Sequence, residues 1–175
     1  LFNKITASDI YAADQLFATL DPTLRRITLE DAGPAILADT VGFIRHLPHK
    51  LVESFRATLQ ETSEATLLLH VIDCFDDERH ANMREVDHVL KEIGAADIPQ
   101  LQVYNKLDLL EGQAPRIDRD DEGRPVRVWL SAVSGEGTDL LIEAVNELLA
   151  DDVYHDTIEL SPKDGGLRAR LYEQG

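Results

Sequence analysis

Short apolar runs alternate along this chain with stretches of helical period. Ala65–Asp73 (Ala-Thr-Leu-Leu-Leu-His-Val-Ile-Asp) and Gln100–Tyr104 (Gln-Leu-Gln-Val-Tyr) have the length and content of buried strands. Val126–Leu130 alternates at first and then becomes apolar. Two earlier candidates, Arg26–Glu30 and Pro34–Asp39, flank Asp31-Ala32-Gly33, a hairpin-turn signal. Between the runs, Leu51, Phe55, Leu59 and Thr62 lie on one helical face, with Glu53, Arg56 and Glu61 between them. Met83, Val86, Val89, Leu90 and Ile93 form a second stripe, closed by Gly94. Leu140, Leu141, Ala144, Val145, Leu148 and Leu149 form a third, after the turn Gly135-Glu136-Gly137-Thr138.

Strands alternating with helices predict an α/β fold, a mostly parallel sheet with helices on both faces. The hairpin would add one antiparallel edge strand. Asp151–Gly166 is polar and carries Pro162, Gly165 and Gly166, so it reads as a linker, and Leu167–Tyr172 alternates like a new strand. The expected organisation is one domain over 1–152, with 153–175 as linker and start of a small C-terminal domain. Asp118–Gly123 reads as an exposed charged loop.

Composition narrows the function. The chain has 175 residues, 43% of them hydrophobic, which is enough for a core. Its formal charge of −16 argues against a phosphate-neutralising nucleic-acid surface. No apolar stretch approaches the ~20 residues of a membrane span. The single cysteine, Cys74, excludes an internal disulfide framework and fits a reducing, cytoplasmic setting. Residue 1 is Leu and the last alternating segment stops at Gly175, so the chain reads as a piece of a longer one.

In a sheet of this kind ligands sit at the carboxyl ends of the strands. Asp39-Thr40-Val41-Gly42 follows one strand: a carboxylate there can hold hydrated Mg²⁺, and a glycine lets its N–H approach a terminal phosphate. D-x-x-G alone is weak, arising by chance in ~40% of such chains, and is equally an ordinary turn. Asn105-Lys106-Leu107-Asp108 follows another strand and is far rarer, at ~2%. Its aspartate can accept the N1–H and exocyclic amine of guanine, neither of which adenine offers in that place. The lysine stem can lie over the base, and the asparagine can tie neighbouring loops. The plainer reading is a polar helix start capped by Asp108. Ser131-Ala132-Val133 follows a third strand, and a small residue at Ala132 leaves its N–H free for a carbonyl such as guanine O6. The order and placement of the three together predict a guanine-nucleotide site.

With Phe17-Ala18-Thr19-Leu20-Asp21-Pro22-Thr23-Leu24-Arg25 and Asp39–Ile44 added to these motifs, the chain resembles the HflX family of ribosome-associated GTPases over residues 1–150. The resemblance implies a Ras-like P-loop GTPase domain, GTP hydrolysis to GDP as a conformational switch, and large-ribosomal-subunit binding that splits stalled or idle ribosomes. It makes Phe17, Ala18, Thr19, Leu20 and Asp21 the first switch, with Thr19 as direct Mg²⁺ ligand and Thr23 as the competing hydroxyl. Asp39, Thr40, Val41 and Gly42 become the second switch, with Asp39 touching the metal through water. Asn105, Lys106, Leu107, Asp108, Ser131, Ala132 and Val133 become the base site. Obg- or Era-type assembly GTPases are the neighbouring alternative, and a non-catalytic module of the same fold is another.

The sequence departs from that pattern twice. The phosphate loop G-x-x-x-x-G-K-[ST] and the first strand, which the family carries immediately before a Leu-Phe-Asn like Leu1-Phe2-Asn3, are not in this sequence. Either they precede Leu1 in a longer protein, or the protein is a pseudo-GTPase. Phe43 stands where Ras-like enzymes place a water-orienting glutamine and cannot orient water, so slow hydrolysis that needs a partner is expected. Arg45 and His46 are nearby, with a solvated face as their simpler role. Cys74, His70 and Trp129 read as packed residues, and His46, His49, His80, His88 and His155 show no metal-site spacing.

Overall fold

The computed structural model describes residues 1–6, 23–39 and 62–150. The hairpin forms where its turn signal places it. β1 (Thr23–Leu29) and β2 (Gly33–Asp39) pair antiparallel, from Thr23 opposite Asp39 to Leu29 opposite Gly33. Gly33 closes the turn at φ +77°, a left-handed conformation that costs glycine little.

The main sheet has four strands in the order β3 (Leu68–Asp73), β4 (Gln100–Asn105), β6 (Pro125–Trp129) and β5 (Arg116–Arg119). β3, β4 and β6 are parallel, and β5 runs antiparallel to β6 at the edge. α1 (Phe2–Thr6), α2 (Arg79–Glu92) and α3 (Thr138–Ala150) complete the described elements. The expected α/β class holds.

Strand alternation divides the side chains between two layers. Leu101, Val103, Val128 and Leu130 face α3, where they meet Leu141, Ala144 and Val145 in a fully buried core. Leu1 and, from α1, Ile5 pack on its flank. On the opposite face Ile72, Cys74 and Tyr104 meet Met83 of α2, with Leu110 and Trp129 beside them. The Tyr104 and Trp129 rings lie 4.4 Å apart, and Arg116 sits over the Trp129 ring. Asp118 accepts the Trp129 indole N–H at 2.8 Å and pairs with both Arg116 and Arg127. Trp129 is thus half-buried under charged groups and not a plain core residue.

Two expectations change. Among the described residues the hairpin is a separate two-stranded sheet and not the edge of the main one. It is joined by apolar packing of Ile27, Leu29 and Ala35 on the core and by Asn146 of α3. Asn146 Oδ1 accepts the Asp31 and Ala32 N–H groups at 2.9 and 3.2 Å, and its Nδ2 donates to Asp31. The antiparallel edge is instead β5, so Asp118 and Arg119 are strand residues and only Asp120–Gly123 turns. Arg-Ile-Asp-Arg has one apolar residue, and its strand state comes from pairing with β6 and from the Asp118 bonds, which act across the sheet. Of the helical stripe Leu51, Phe55, Leu59 and Thr62, Thr62 is described, helical and buried; its other members and the boundary at 152/153 lie outside the described residues.

Candidate functional site

The carboxyl ends of β3, β4 and β6 meet in one corner, built from turns that are hydrogen-bonded to one another. Leu130 N–H donates to the Tyr104 carbonyl at 3.0 Å, and Leu107 N–H returns to the Leu130 carbonyl at 3.1 Å. Cys74 N–H donates to the Asn105 carbonyl at 3.0 Å. The chain leaves β4 through Lys106, which is left-handed (φ 68°, ψ 33°) and enters the 3₁₀ turn Leu107–Leu109. Lys106 is the one non-glycine residue at positive φ among the described residues. A residue in this conformation carries strain of order 1–3 kcal/mol, which the surrounding bonds must hold.

That turn sorts the four residues of Asn105–Asp108. Leu107 is buried, 3% exposed, and anchors the turn from below. Its side chain packs in the protein interior. Asn105 and Asp108 lie on the other side, toward the loop after β6. Asn105 Oδ1 accepts the Ala132 N–H at 2.9 Å. The asparagine ties the two loops as expected, but the amide expected to be free for a carbonyl is engaged by it.

Ser131 organises Asp108. It is fully buried, its N–H donates to the Glu136 carbonyl at 2.9 Å, and its carbonyl accepts the Gly135 N–H at 2.8 Å. Its hydroxyl accepts the Ser134 N–H at 3.2 Å and donates to Asp108 Oδ1 at 2.5 Å. Because a backbone N–H already occupies the oxygen, the hydroxyl proton points to Asp108. The carboxylate is held as an acceptor and is itself exposed to solvent. Val133, 78% exposed, stands at the rim.

Behind this loop Gly137 has φ +78°, and a Cβ there would come within 2.8 Å of the Trp129 carbonyl and of Pro115 Cβ. Only glycine lets the loop close this tightly.

Sequence reasoning missed Asp73. It ends β3 opposite Asn105, and its Oδ2 lies 2.7 Å from Lys106 Nζ while its Oδ1 accepts the Phe75 N–H at 3.0 Å. A carboxylate closing a buried apolar strand was the available signal.

Asp39 ends β2, opposite Thr23 of β1. Its hard oxygen donors suit a hydrated divalent cation. Phe17, Ala18, Thr19, Leu20, Asp21, Thr40, Val41 and Gly42 lie outside the described residues.

Among the described residues no group of three or more His, Cys, Asp or Glu gathers to hold a metal, and no helix is long and apolar enough to cross a membrane. Cys74 is 4% exposed, and burial pushes its thiol pKa up, as a packed residue requires. Burial lowers the pKa of His70, more than the nearby Asp87 charge raises it.

Chemically, the corner offers a fixed anionic acceptor, a lysine stem and a backbone-braced asparagine, the set expected to read a purine edge bearing two adjacent N–H donors. The family described as 50S ribosome-binding GTPase matches residues 1–106. GTPase HflX of Escherichia coli is 58% identical over 173 residues, covering 99% of this chain and 41% of that protein. GTPase HflX of Caldanaerobacter subterraneus is 45% identical over 149 residues, covering 85% of this chain and 33% of that protein. The chain thus spans less than half the length of these relatives. A crystal structure of a GTP-binding protein from Sulfolobus solfataricus in complex with GDP superimposes with a TM-score of 0.65 at 25% identity, covering 87% of this chain and 49% of that one. With the family matched across the hairpin and the first two parallel strands, the chain belongs to the 50S ribosome-binding GTPases and is homologous to GTPase HflX.

Proposed function

We propose that the chain forms the base-reading part of a GTPase that hydrolyses GTP to GDP as a conformational switch. The observation that carries this is the Ser131–Asp108–Asn105–Ala132 arrangement, which presents an oriented carboxylate next to a lysine at the joined ends of β4 and β6. The carboxylate accepts the N1–H and 2-amino group of guanine. Asn105 holds the β6 loop in place, and Lys106 lays its stem over the ring.

Asp39 fits the water-mediated contact to Mg²⁺, and Thr19 is the proposed direct ligand. The cation would neutralise phosphate charge and order the segments 17–21 and 39–44 while a γ-phosphate is present. Phe43 offers no group to orient water, so hydrolysis is slow until a partner completes the site.

By homology the partner is the large ribosomal subunit, and the outcome is the splitting of stalled or idle ribosomes in the cytoplasm. The test uses the full-length protein: GDP affinity in competition with ADP, then single-turnover GTP hydrolysis with and without large subunits. Guanine selectivity and stimulation by the subunit are expected. Equal binding of ADP refutes the base reading, and an unstimulated rate refutes the partner.

A further inference from the structure

The proposed base site contains a second carboxylate that the reading of the purine edge does not use. Asp73 lies directly beside Asn105 in the parallel register of β3 and β4. Both of its oxygens are engaged, Oδ1 by the Phe75 N–H at 3.0 Å and Oδ2 by Lys106 Nζ at 2.7 Å. It can therefore neither swing toward solvent nor release the lysine without losing a bond.

Lys106 reaches it because of the left-handed turn at this residue. A strand continuing past Asn105 would send the next side chain to a face of the sheet. At φ 68° the chain breaks off that alternation, and the ammonium returns to the end of the neighbouring strand. Burial alone would raise the Asp73 pKa. The Lys106 bond, the Phe75 amide and the lysine charge outweigh it and hold the carboxyl below its usual range.

A lysine stem has many rotamers, and a ligand that needs one of them must pay for the rest in entropy. A tip already fixed by another group lowers that loss on binding. We propose that Asp73 is a positioning residue for guanine nucleotides: it anchors the Lys106 ammonium so that the methylene stem stands ready across the base plane. This rests on the guanine reading above and goes beyond it, because it assigns a determinant of affinity that is separate from the determinant of base choice. The pair is about half-exposed, 51% for Lys106 and 35% for Asp73, so screening keeps its effect modest.

The test measures GDP and IDP affinity of the full-length protein by competition with a fluorescent GDP. Asp73→Asn, nearly isosteric, is expected to weaken GDP binding about three- to fivefold. The GDP-to-IDP ratio stays unchanged, because Asp108 sets it. In a Lys106→Met background the same substitution changes GDP affinity by less than about 1.5-fold, since the partner it acts through is gone. Asp73→Ser, which keeps an acceptor near the Phe75 amide but removes the charge, reproduces the loss if Asp73→Asn fails to fold. A neutral Asp73→Asn, or an equal loss in both backgrounds, overturns the proposal and leaves the guanine reading standing. A wild-type protein that binds no GDP overturns both.

Discussion

Inosine diphosphate differs from GDP by one exocyclic amine, and in the proposed site that amine donates to Asp108. The carboxylate is oriented before any ligand arrives, because Ser131 Oγ donates to Oδ1 while itself held by the Ser134 N–H. A hydrogen bond to a charged acceptor contributes about 1.5–3 kcal/mol. Asp108 is exposed, so water can partly re-solvate the acceptor in an IDP complex, and the lower end of that range applies. GDP should therefore bind about 10- to 30-fold more tightly than IDP. ADP loses both donors and turns a ring-nitrogen lone pair toward the carboxylate, so its deficit should exceed about 100-fold. Asp108→Ala removes the acceptor of the N1–H as well as of the amine, so it should take GDP below the wild-type IDP level and collapse the GDP-to-IDP ratio to about one. Equilibrium competition against a fluorescent GDP on the full-length protein reads all of these values. A wild-type GDP-to-IDP ratio near one, or a ratio that survives Asp108→Ala, would show that the carboxylate does not read the amine.

Two further outcomes concern the scaffold. Gly137→Ala puts a Cβ 2.8 Å from the Trp129 carbonyl in a left-handed conformation, and should cost about 2–4 kcal/mol in urea unfolding. It should also weaken nucleotide binding, because the Ser131 N–H bonds to the adjacent Glu136 carbonyl. For Asp118, burial disfavours the charge, but the Trp129 indole N–H and the Arg116 and Arg127 guanidiniums outweigh it and lower the pKa. A depressed folded-state pKa gives stability that is complete above the unfolded value of about 3.9 and is lost as pH falls through the folded value. Wild-type melting temperature should therefore drop more steeply than that of Asp118→Asn as pH is lowered from about 5 to 3, and parallel curves would refute this.

The architecture was legible wherever one strand face is buried and one helix face is apolar. Gln100–Asn105 and the stripes on α2 and α3 carry that period, and the structure follows it. β5 was not legible, because Ile117 is its one apolar residue and the Asp118 bonds that hold it come from Arg127 and Trp129, nine and eleven residues away. The site divides in the same way. Motif order placed Asn105, Asp108 and Ser131 at strand ends, and the structure brings these three together. The motif did not separate Leu107, a buried anchor, from the polar residues around it. It also did not reveal that Asn105 occupies the Ala132 amide. Asp73 escaped because its role depends on the backbone turn at Lys106, and no local pattern announces a left-handed lysine.

The charge of the chain constrains how a ribosomal partner could hold it. Binding to RNA phosphates releases counterions, and each basic residue that neutralises a phosphate adds about 0.7–0.9 to the salt slope. The arginines of the β5–β6 edge are already engaged within the chain. Arg116 and Arg127 share Asp118, Arg119 pairs with Glu143 and Glu147, and Arg124 lies by Glu122. An arginine compensated by its own carboxylate must exchange that partner for a phosphate, and the freed carboxylate then repels the RNA. A chain at −16 is therefore expected not to grip rRNA through this edge. Arg119→Gln and Arg124→Gln in the full-length protein should leave the salt slope of large-subunit binding unchanged. A slope reduced by about one for each arginine removed would place the rRNA grip on this edge and overturn the electrostatic argument.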